Sequence, residues 1–475
     1  MEQPNLLVIL SDQHSPHVAG FAGDPFARTP SLDRLAQEGT RLASAYCPSP
    51  LCVPSRMSLM ASQHPCDLGI WTNGGVLSPV VPTFAHQLAR AGYETVLCGR
   101  MHFNGPDQRH GFESRLVGDV SGAMTGMPLG EMFEGVWDKA GCGQSAAALA
   151  PAACGPGQAT YEVYDRDVVA RAEAFLTERG GGSERPFCLV VGLLLPHNPY
   201  VCAADLFEHY LDVLPEVDTM PPGGEHPAVQ AVRESRGLTG VGAVDARRSR
   251  AAYYGLVETV DASVGKLLDA VDTAGLAGTT HVVYTSDHGD LNGEHGMWAK
   301  SCFYEGSVGV PWLWRGPGVQ AGAELSQVAS LLDLGPTLLD FAEAEALPAA
   351  RGHSLRSLLG RGGDSQWPDR VFAESCASGQ RPARMVREGR WKLSVYHGYD
   401  RPELFDLATD PGETHDLGGD PEHAETRDRL AALVLAGWDG ARIESWVTGE
   451  AIVRTRSGRS GSSERWPFPA GANQR

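Results

Sequence analysis

The chain has 475 residues, 42% hydrophobic and 20% charged, with a formal net charge of −19. That length supports two domains, or one large domain with a smaller one attached. The acid excess argues against nucleic acid or an anionic membrane surface as partner, which need the opposite field, yet leaves room for a small anion in a local cationic pocket.

In chain order, Asn5 to Leu10 is a continuous apolar run, too short to span a bilayer and without the flanks of a signal peptide. It reads as a first strand buried on both faces. Thr29-Pro30-Ser31 then opens a helix through Leu32, Leu35 and Ala36, closed by Gly39. Further strands are predicted at Glu94 to Cys98, Phe187 to Leu195, His281 to Ser286 and Val310 to Trp314. Helices are predicted between them at Thr83 to Ala91, Tyr161 to Arg179 and Ala246 to Ala274. This alternation predicts an α/β domain over residues 1–365, with a mostly parallel central sheet sandwiched by helices.

Residues 120–160 and 215–245 break the pattern and read as long irregular insertions that shape a substrate entrance. Over residues 366–440, short strand candidates (Arg370 to Ser375, Ala383 to Val386, Trp391 to Tyr396) precede a helix from Ala424 to Gly437. They predict a smaller α+β domain with an antiparallel sheet. Residues 441–475 form a C-terminal tail whose polar end carries Trp466, Pro467, Phe468 and Pro469. That end reads either as disordered or as an arm on a neighbouring subunit. Ten cysteines show no framework spacing, so reduced thiols and a cytoplasmic location are expected.

Two strand candidates run into polar residues: Leu6 to Ser11 into Asp12-Gln13, and His281 to Ser286 into Asp287-His288-Gly289-Asp290. Sites in parallel sheets form at the carboxyl ends of strands, so the two ends are positioned to share a divalent cation. Hard oxygen ligands favour calcium, with magnesium or manganese as alternatives, and no Cys/His spacing of a zinc site is present. Each Asp equally fits a plain helix or turn cap. Cys52-Val53-Pro54-Ser55-Arg56 opens a helix, with Pro54 in its first turn and Met57, Leu59 and Met60 continuing it. Cys52 then lies at a helix N-terminus that favours negative charge, with Arg56 one turn on. A buried structural cysteine is the other reading of Cys52.

Cys-x-Pro-Ser-Arg resembles the signature of the type I, formylglycine-dependent sulfatases. Asp12-Gln13, Gly99-Arg100-Met101-His102, Pro196-His197, Ser286-Asp287-His288-Gly289 and Lys300 follow in that family's order, as do Glu403 to Leu407 and Asp410-Pro411-Gly412-Glu413. The resemblance covers most of the chain to about residue 440 and implies an alkaline-phosphatase-like fold. It further implies that a separate formylglycine-generating enzyme converts Cys52 to formylglycine (3-oxoalanine), whose hydrate attacks sulfur with one hydroxyl and expels sulfate with the other. Asp12, Gln13, Asp287, His288 and the modified Cys52 are the implied metal ligands. Arg56, Arg100, His102, His197 and Lys300 are the implied catalytic residues. In that scheme His102 contacts the nucleophile and helps the intermediate collapse. His197 and Lys300 bind the bridging oxygen, one of them acting as general acid. Each histidine taken alone reads as readily as a satisfied structural one.

With Asp12 and Asp287 set against a dication, Arg56, Arg100 and Lys300 remain in excess, which suits a small sulfate-ester substrate. Arg100 stands where the family usually has Lys; it keeps the charge, gives up the acid role, and its fork prefers bidentate oxyanion contact. Gln13 replaces a carboxylate of many relatives and leaves the site more cationic. Leu51 to Arg56, Gly293 to Trp298 and the Trp466-Pro467-Phe468 tail look most like choline sulfatases, a cytoplasmic, oligomeric group, so a homo-oligomer (dimer or tetramer) is expected. Trp71, Trp137, Trp298 and Tyr304 are candidates for a quaternary-ammonium cage. The competing readings are a phosphonate monoester or phosphodiester hydrolase on the same formylglycine site, and a binding protein that leaves Cys52 unmodified. Phosphotransfer on a related fold would need Ser or Thr in place of Cys52.

Overall fold

Leu6 to Leu10 are buried on both faces because they lie in the middle of an eight-stranded sheet. The computed structural model describes residues 3–119, 136–137, 146–150, 153–182, 185–216, 224–360, 363, 365–377 and 379–457. The large sheet holds β1 (Asn5–Asp12), β2 (Thr40–Tyr46), β3 (Glu94–Gly99), β4 (Ser114–Val117), β5 (Phe187–Pro196), β6 (Thr280–Ser286), β7 (Trp312–Arg315) and β8 (Ala323–Ser330). Their order is β8-β2-β7-β6-β1-β5-β3-β4. Every pair is parallel except those of β7, which runs antiparallel to β6 and β2.

All of β5 and β6 is buried, so helices cover both faces of the sheet centre. Helices Thr160–Arg179 and Ala243–Thr273 pack on each other and on β5, and helix Phe84–Arg90 packs on β3.

A second, antiparallel sheet runs β9 (Arg370–Ser375), β10 (Ala383–Glu388), β11 (Trp391–Tyr396), β12 (Glu403–Asp406) in sequence order. Leu430 and Val434 of helix Ala424–Leu435 close one face of it against Val386, Leu393 and Leu404. Buried Lys392 ties this sheet to the body of the chain. Its ammonium donates to the Phe303 carbonyl and Glu305 at 2.7 Å each, and pairs with Glu413.

Several expectations need correction. Within 215–245 half of the described residues are helical: Pro227 opens helix Pro227–Ser235, and His226 caps it by accepting from the Ala228 N–H. The start of the expected tail forms helix Gly440–Ser457, where Ile443 packs with Trp71, Cys376 and Trp438. Most of the 120–160 stretch lies outside the described residues, as do the side chain of Trp137 and Trp466 to Pro469.

Candidate active site

Strands β6, β1, β5 and β3 are parallel neighbours, so their carboxyl ends open on one edge of the sheet. Ser11 pairs with Ser286, Asp12 with Pro196 and Gly99 with Gly192, which brings Asp12, Asp287, His197 and Arg100 to that edge together. The Arg100 carbonyl crosses so close to Gly192 that a Cβ there would lie 1.8 Å from its oxygen; only glycine allows the approach. Helix Cys52–Ala61 is wholly buried and starts at Cys52 itself. Its Ser55 hydroxyl donates to the Asp287 carbonyl, fixing the helix start against the end of β6. Lys300 arrives from the following loop, where Asp290 accepts from the Ala299 N–H at 3.1 Å. Gln13, His102, Ala299 and Ser301 all adopt positive φ, a strained backbone concentrated around the site.

Asp12, Cys52, Asp287 and His288 are fully buried, and each offers a ligand atom within 4.8 Å of the other three. The Cys52 sulfur lies 3.3 Å from His288 Nε2, 3.8 Å from Asp12 Oδ1 and 3.1 Å from the Lys300 ammonium. Burial raises this thiol's pKa, but Lys300 and His288 outweigh it and hold the group well below its ordinary range. His288 Nδ1 donates to the Gly289 carbonyl at 3.0 Å, so in the neutral ring the lone pair belongs to Nε2, the nitrogen 3.3 Å from the sulfur. Gln13 Nε2 donates to Asp290 Oδ2 at 2.7 Å, while its buried Oε1 has no hydrogen-bond partner among the described residues.

Arg56 spans the two carboxylates, with Nε 2.7 Å from Asp287 Oδ2 and an Nη 3.1 Å from Asp12 Oδ2. Arg100 Nε donates to the same Asp12 oxygen at 2.6 Å, and its Nη2 lies 2.9 Å from His102 Nδ1. Burial alone would raise the Asp12 pKa; Arg100 and Arg56 hold it well below the carboxylate range. Two of the three cations in the sequence tally are thus committed to the site's own carboxylates. The bidentate fork expected of Arg100 toward a substrate is already occupied by Asp12 and His102, and Lys300 is the cation set nearest the sulfur. His197, between the cis peptides Leu195–Pro196 and Asn198–Pro199, donates from Nδ1 to the Asn198 carbonyl at 2.6 Å. It and His102 add to Lys300 and His288 in holding the Cys52 pKa down.

Three partners escaped the sequence reading. Asp119 accepts from the His102 N–H, Tyr253 donates to the Gln13 carbonyl at 2.8 Å, and Tyr200 donates to Asp290 Oδ2 at 2.7 Å. None of the three lies in a motif; Asp290, which Tyr200 meets, stands in the Asp287-His288-Gly289-Asp290 run.

A family model described as sulfatase matches residues 4–344. The chain belongs to the sulfatase family. A second model, for the C-terminal region of N-sulphoglucosamine sulphohydrolase, matches residues 293–436. A choline-sulfatase of Rhizobium meliloti (strain 1021) is 33% identical over 95% of this chain and 91% of its own length. An arylsulfatase of Clostridium perfringens (strain 13 / Type A) is 27% identical over 95% of this chain and 98% of its own. Among solved structures, a phosphonate monoester hydrolase from Silicibacter pomeroyi shares the fold with a TM-score of 0.76 at 22% identity, covering 97% of this chain and 96% of that one. This sulfatase is a sulfuric ester hydrolase, and its family generally uses a metal and a formylglycine. Among the described residues no helix is long and apolar enough to cross a membrane.

Proposed function

We propose that the residue at position 52, converted from Cys52 to formylglycine, is the nucleophile, and that Asp12, Gln13, Asp287 and His288 hold a divalent cation beside it. The Cys52 sulfur stands in for the oxygen of the mature side chain. The observation that carries this reading is the buried cluster of Asp12, Cys52, Asp287 and His288 with ligand atoms within 4.8 Å, a span that fits contacts of ~2.3–2.6 Å to one calcium ion. The unpartnered Gln13 Oε1 and the bare His288 Nε2 fit the same ion. An oxygen-rich donor set favours calcium, then magnesium or manganese. When bound, the cation lowers the pKa of the nucleophilic hydroxyl and polarises the ester, while formylglycine supplies a hydrated aldehyde that releases sulfate without attack by water.

The chain's own groups do the rest. Arg56 pairs with Asp12 and Asp287 and fixes both in place. Lys300 and His197 meet the bridging oxygen, one of them protonating the leaving alcohol. His102 contacts position 52, and Arg100 anchors Asp12 and His102 without donating a proton.

Choline sulfate is the proposed substrate, on the strength of the choline-sulfatase relative. Three of the cage candidates have other partners: Trp71 packs with Trp438 and donates to Glu374, Trp298 donates to Ser249, and Tyr304 stacks on His295. The side chain of the fourth, Trp137, lies outside the described residues. The proposal includes a homo-oligomer, activation by a formylglycine-generating enzyme, domains divided near residue 365, and a cytoplasmic location. The nine described cysteines are all free, in keeping with a reducing compartment.

Mass analysis of the Cys52 peptide tests the nucleophile: conversion lowers the mass by about 18 Da, and an unshifted, inactive protein supports the binding-protein reading instead. A neutral Gln13 among the ligands favours a second reading, a phosphonate monoester or phosphodiester hydrolase. Paired sulfate and phosphonate esters of one alcohol separate the two by kcat/KM.

A further inference from the structure

The segment that follows Lys300 lines a cavity of about 200 Å³ to which no residue of the site described above contributes. Val229 and Val232 of helix Pro227–Ser235 form one wall, and Cys302 and Phe303 form another. The small sheet supplies Ser375, Ala383 and Tyr396, from the ends of β9, β10 and β11. These walls are anchored away from the cavity: Tyr396 donates to Glu403 at 3.0 Å and stacks on His226, and Lys392 donates to the Phe303 carbonyl at 2.7 Å. Four polar groups on the lining have no hydrogen bond or ion pair among the described residues: the Gln380 amide, the Arg381 guanidinium, the Tyr399 hydroxyl and the Ser375 hydroxyl. Ser375 is only 4% exposed, so its unpaired hydroxyl carries a desolvation cost that a bound partner would relieve. Arg381 lies against Gly398, where a Cβ would collide with the guanidinium. No carboxylate is among the described residues of the lining.

We propose that this cavity binds a small organic carboxylate with one aromatic ring or a short branched chain, and that the bound anion acts on Lys300 through the walls it touches. The size fits, since benzene fills an apolar cavity of about 150 Å³. Val229, Val232, Phe303 and Ala383 receive the apolar body. Arg381 meets the carboxylate with its fork, and Ser375, Gln380 and Tyr399 offer further donors. A quaternary ammonium is disfavoured by the same lining, which holds a guanidinium and no balancing acid. The route to Lys300 is short. Arg236, next after the helix, donates from Nη1 to the Lys300 carbonyl at 2.8 Å, and Arg233 donates to the His295 carbonyl at 3.3 Å. A ligand seated between this helix and the Cys302–Phe303 wall therefore bears on the backbone that sets the Lys300 ammonium 3.1 Å from the Cys52 sulfur. The effect on turnover rests on the sulfatase site proposed above; the binding itself does not.

Calorimetry of the full chain with benzoate tests the binding. The expected result is one saturable site on the wild type, weakened about tenfold in Arg381→Met and about tenfold when benzamide replaces benzoate. Arg381 is exposed, so the variant keeps its fold, which an unchanged urea midpoint verifies. Absence of saturable binding, or equal affinity in the folded Arg381→Met, overturns the site. Benzamide or choline binding as tightly as benzoate overturns the choice of an anion. Steady-state kinetics on the activated protein test the coupling. Saturating benzoate is expected to change kcat for a sulfate ester by about fivefold or more at unchanged KM, while Arg381→Met turns over at the wild-type rate and does not respond at that concentration. A rise in KM alone puts benzoate in the substrate's own cleft and overturns the proposal; binding that alters neither constant overturns the action on Lys300. A fully modified protein without turnover removes the sulfatase reading, and calorimetry still decides the cavity.

Discussion

Replacing Arg56 by Met removes the guanidinium that spans both buried carboxylates at the centre of the site. Arg56 is wholly buried, contacts Asp287 at 2.7 Å and Asp12 at 3.1 Å, and donates to the Arg100 carbonyl at 3.0 Å. Asp12 keeps Arg100 at 2.6 Å, so the loss falls chiefly on Asp287. Breaking a buried pair from one side costs about 3–5 kcal/mol, because the remaining charge stays out of water. The expected result in chelator is a loss of about that size, read from the urea midpoint at unchanged slope. Calcium then restores more stability to the variant than to the wild type, since the ion neutralises the carboxylates the arginine has left. For a ligand at 100 times its Kd the gain is about 2.7 kcal/mol. A variant within about 1 kcal/mol of wild type in chelator, or one indifferent to calcium, refutes the claim that these carboxylates face a cation site.

Other consequences follow from the same geometry. Lys300→Met lowers kcat by roughly 10²–10⁴-fold, more for alkyl than for aryl sulfates, measured in steady state. Asp290→Ala frees the Gln13 amide and weakens metal binding by about 10–100-fold, measured by calorimetry. Burial, with Asp416 and Glu413 nearby, pushes the Glu403 pKa up to about 8. The folded state therefore holds this proton more tightly than the unfolded chain. The stability it contributes is complete below the ordinary carboxylate range and lost as pH rises toward 8, at most about 4–5 kcal/mol. Glu403→Gln removes that part of the loss, so the gap between urea midpoints at pH 6 and pH 9 narrows.

The strands that build the site were legible because they are continuous apolar runs: β1, β3, β5 and β6 are buried nearly throughout. Strands β2 and β8 were not, since their burial is broken by exposed or half-exposed residues and their apolar pattern is weak. Asp12, Cys52, Asp287 and His288 were each visible at the end of a strand or the start of a helix, and the sheet register brings them together. What the chain order concealed was allegiance. Arg56 and Arg100 read as cations for a substrate, yet both turn inward to Asp12, a choice set by three-dimensional packing. Asp119 and Tyr253 support the site from segments with no motif, and only the fold reveals them.

The most direct measurement of the central claim is turnover of a panel of sulfate and phosphate esters by wild type and Cys52→Ala, each loaded with calcium. The wild type is expected to hydrolyse sulfate esters, and the mutant to lose this activity entirely while still binding the ion. Sulfate-ester hydrolysis by Cys52→Ala at the wild-type rate contradicts it.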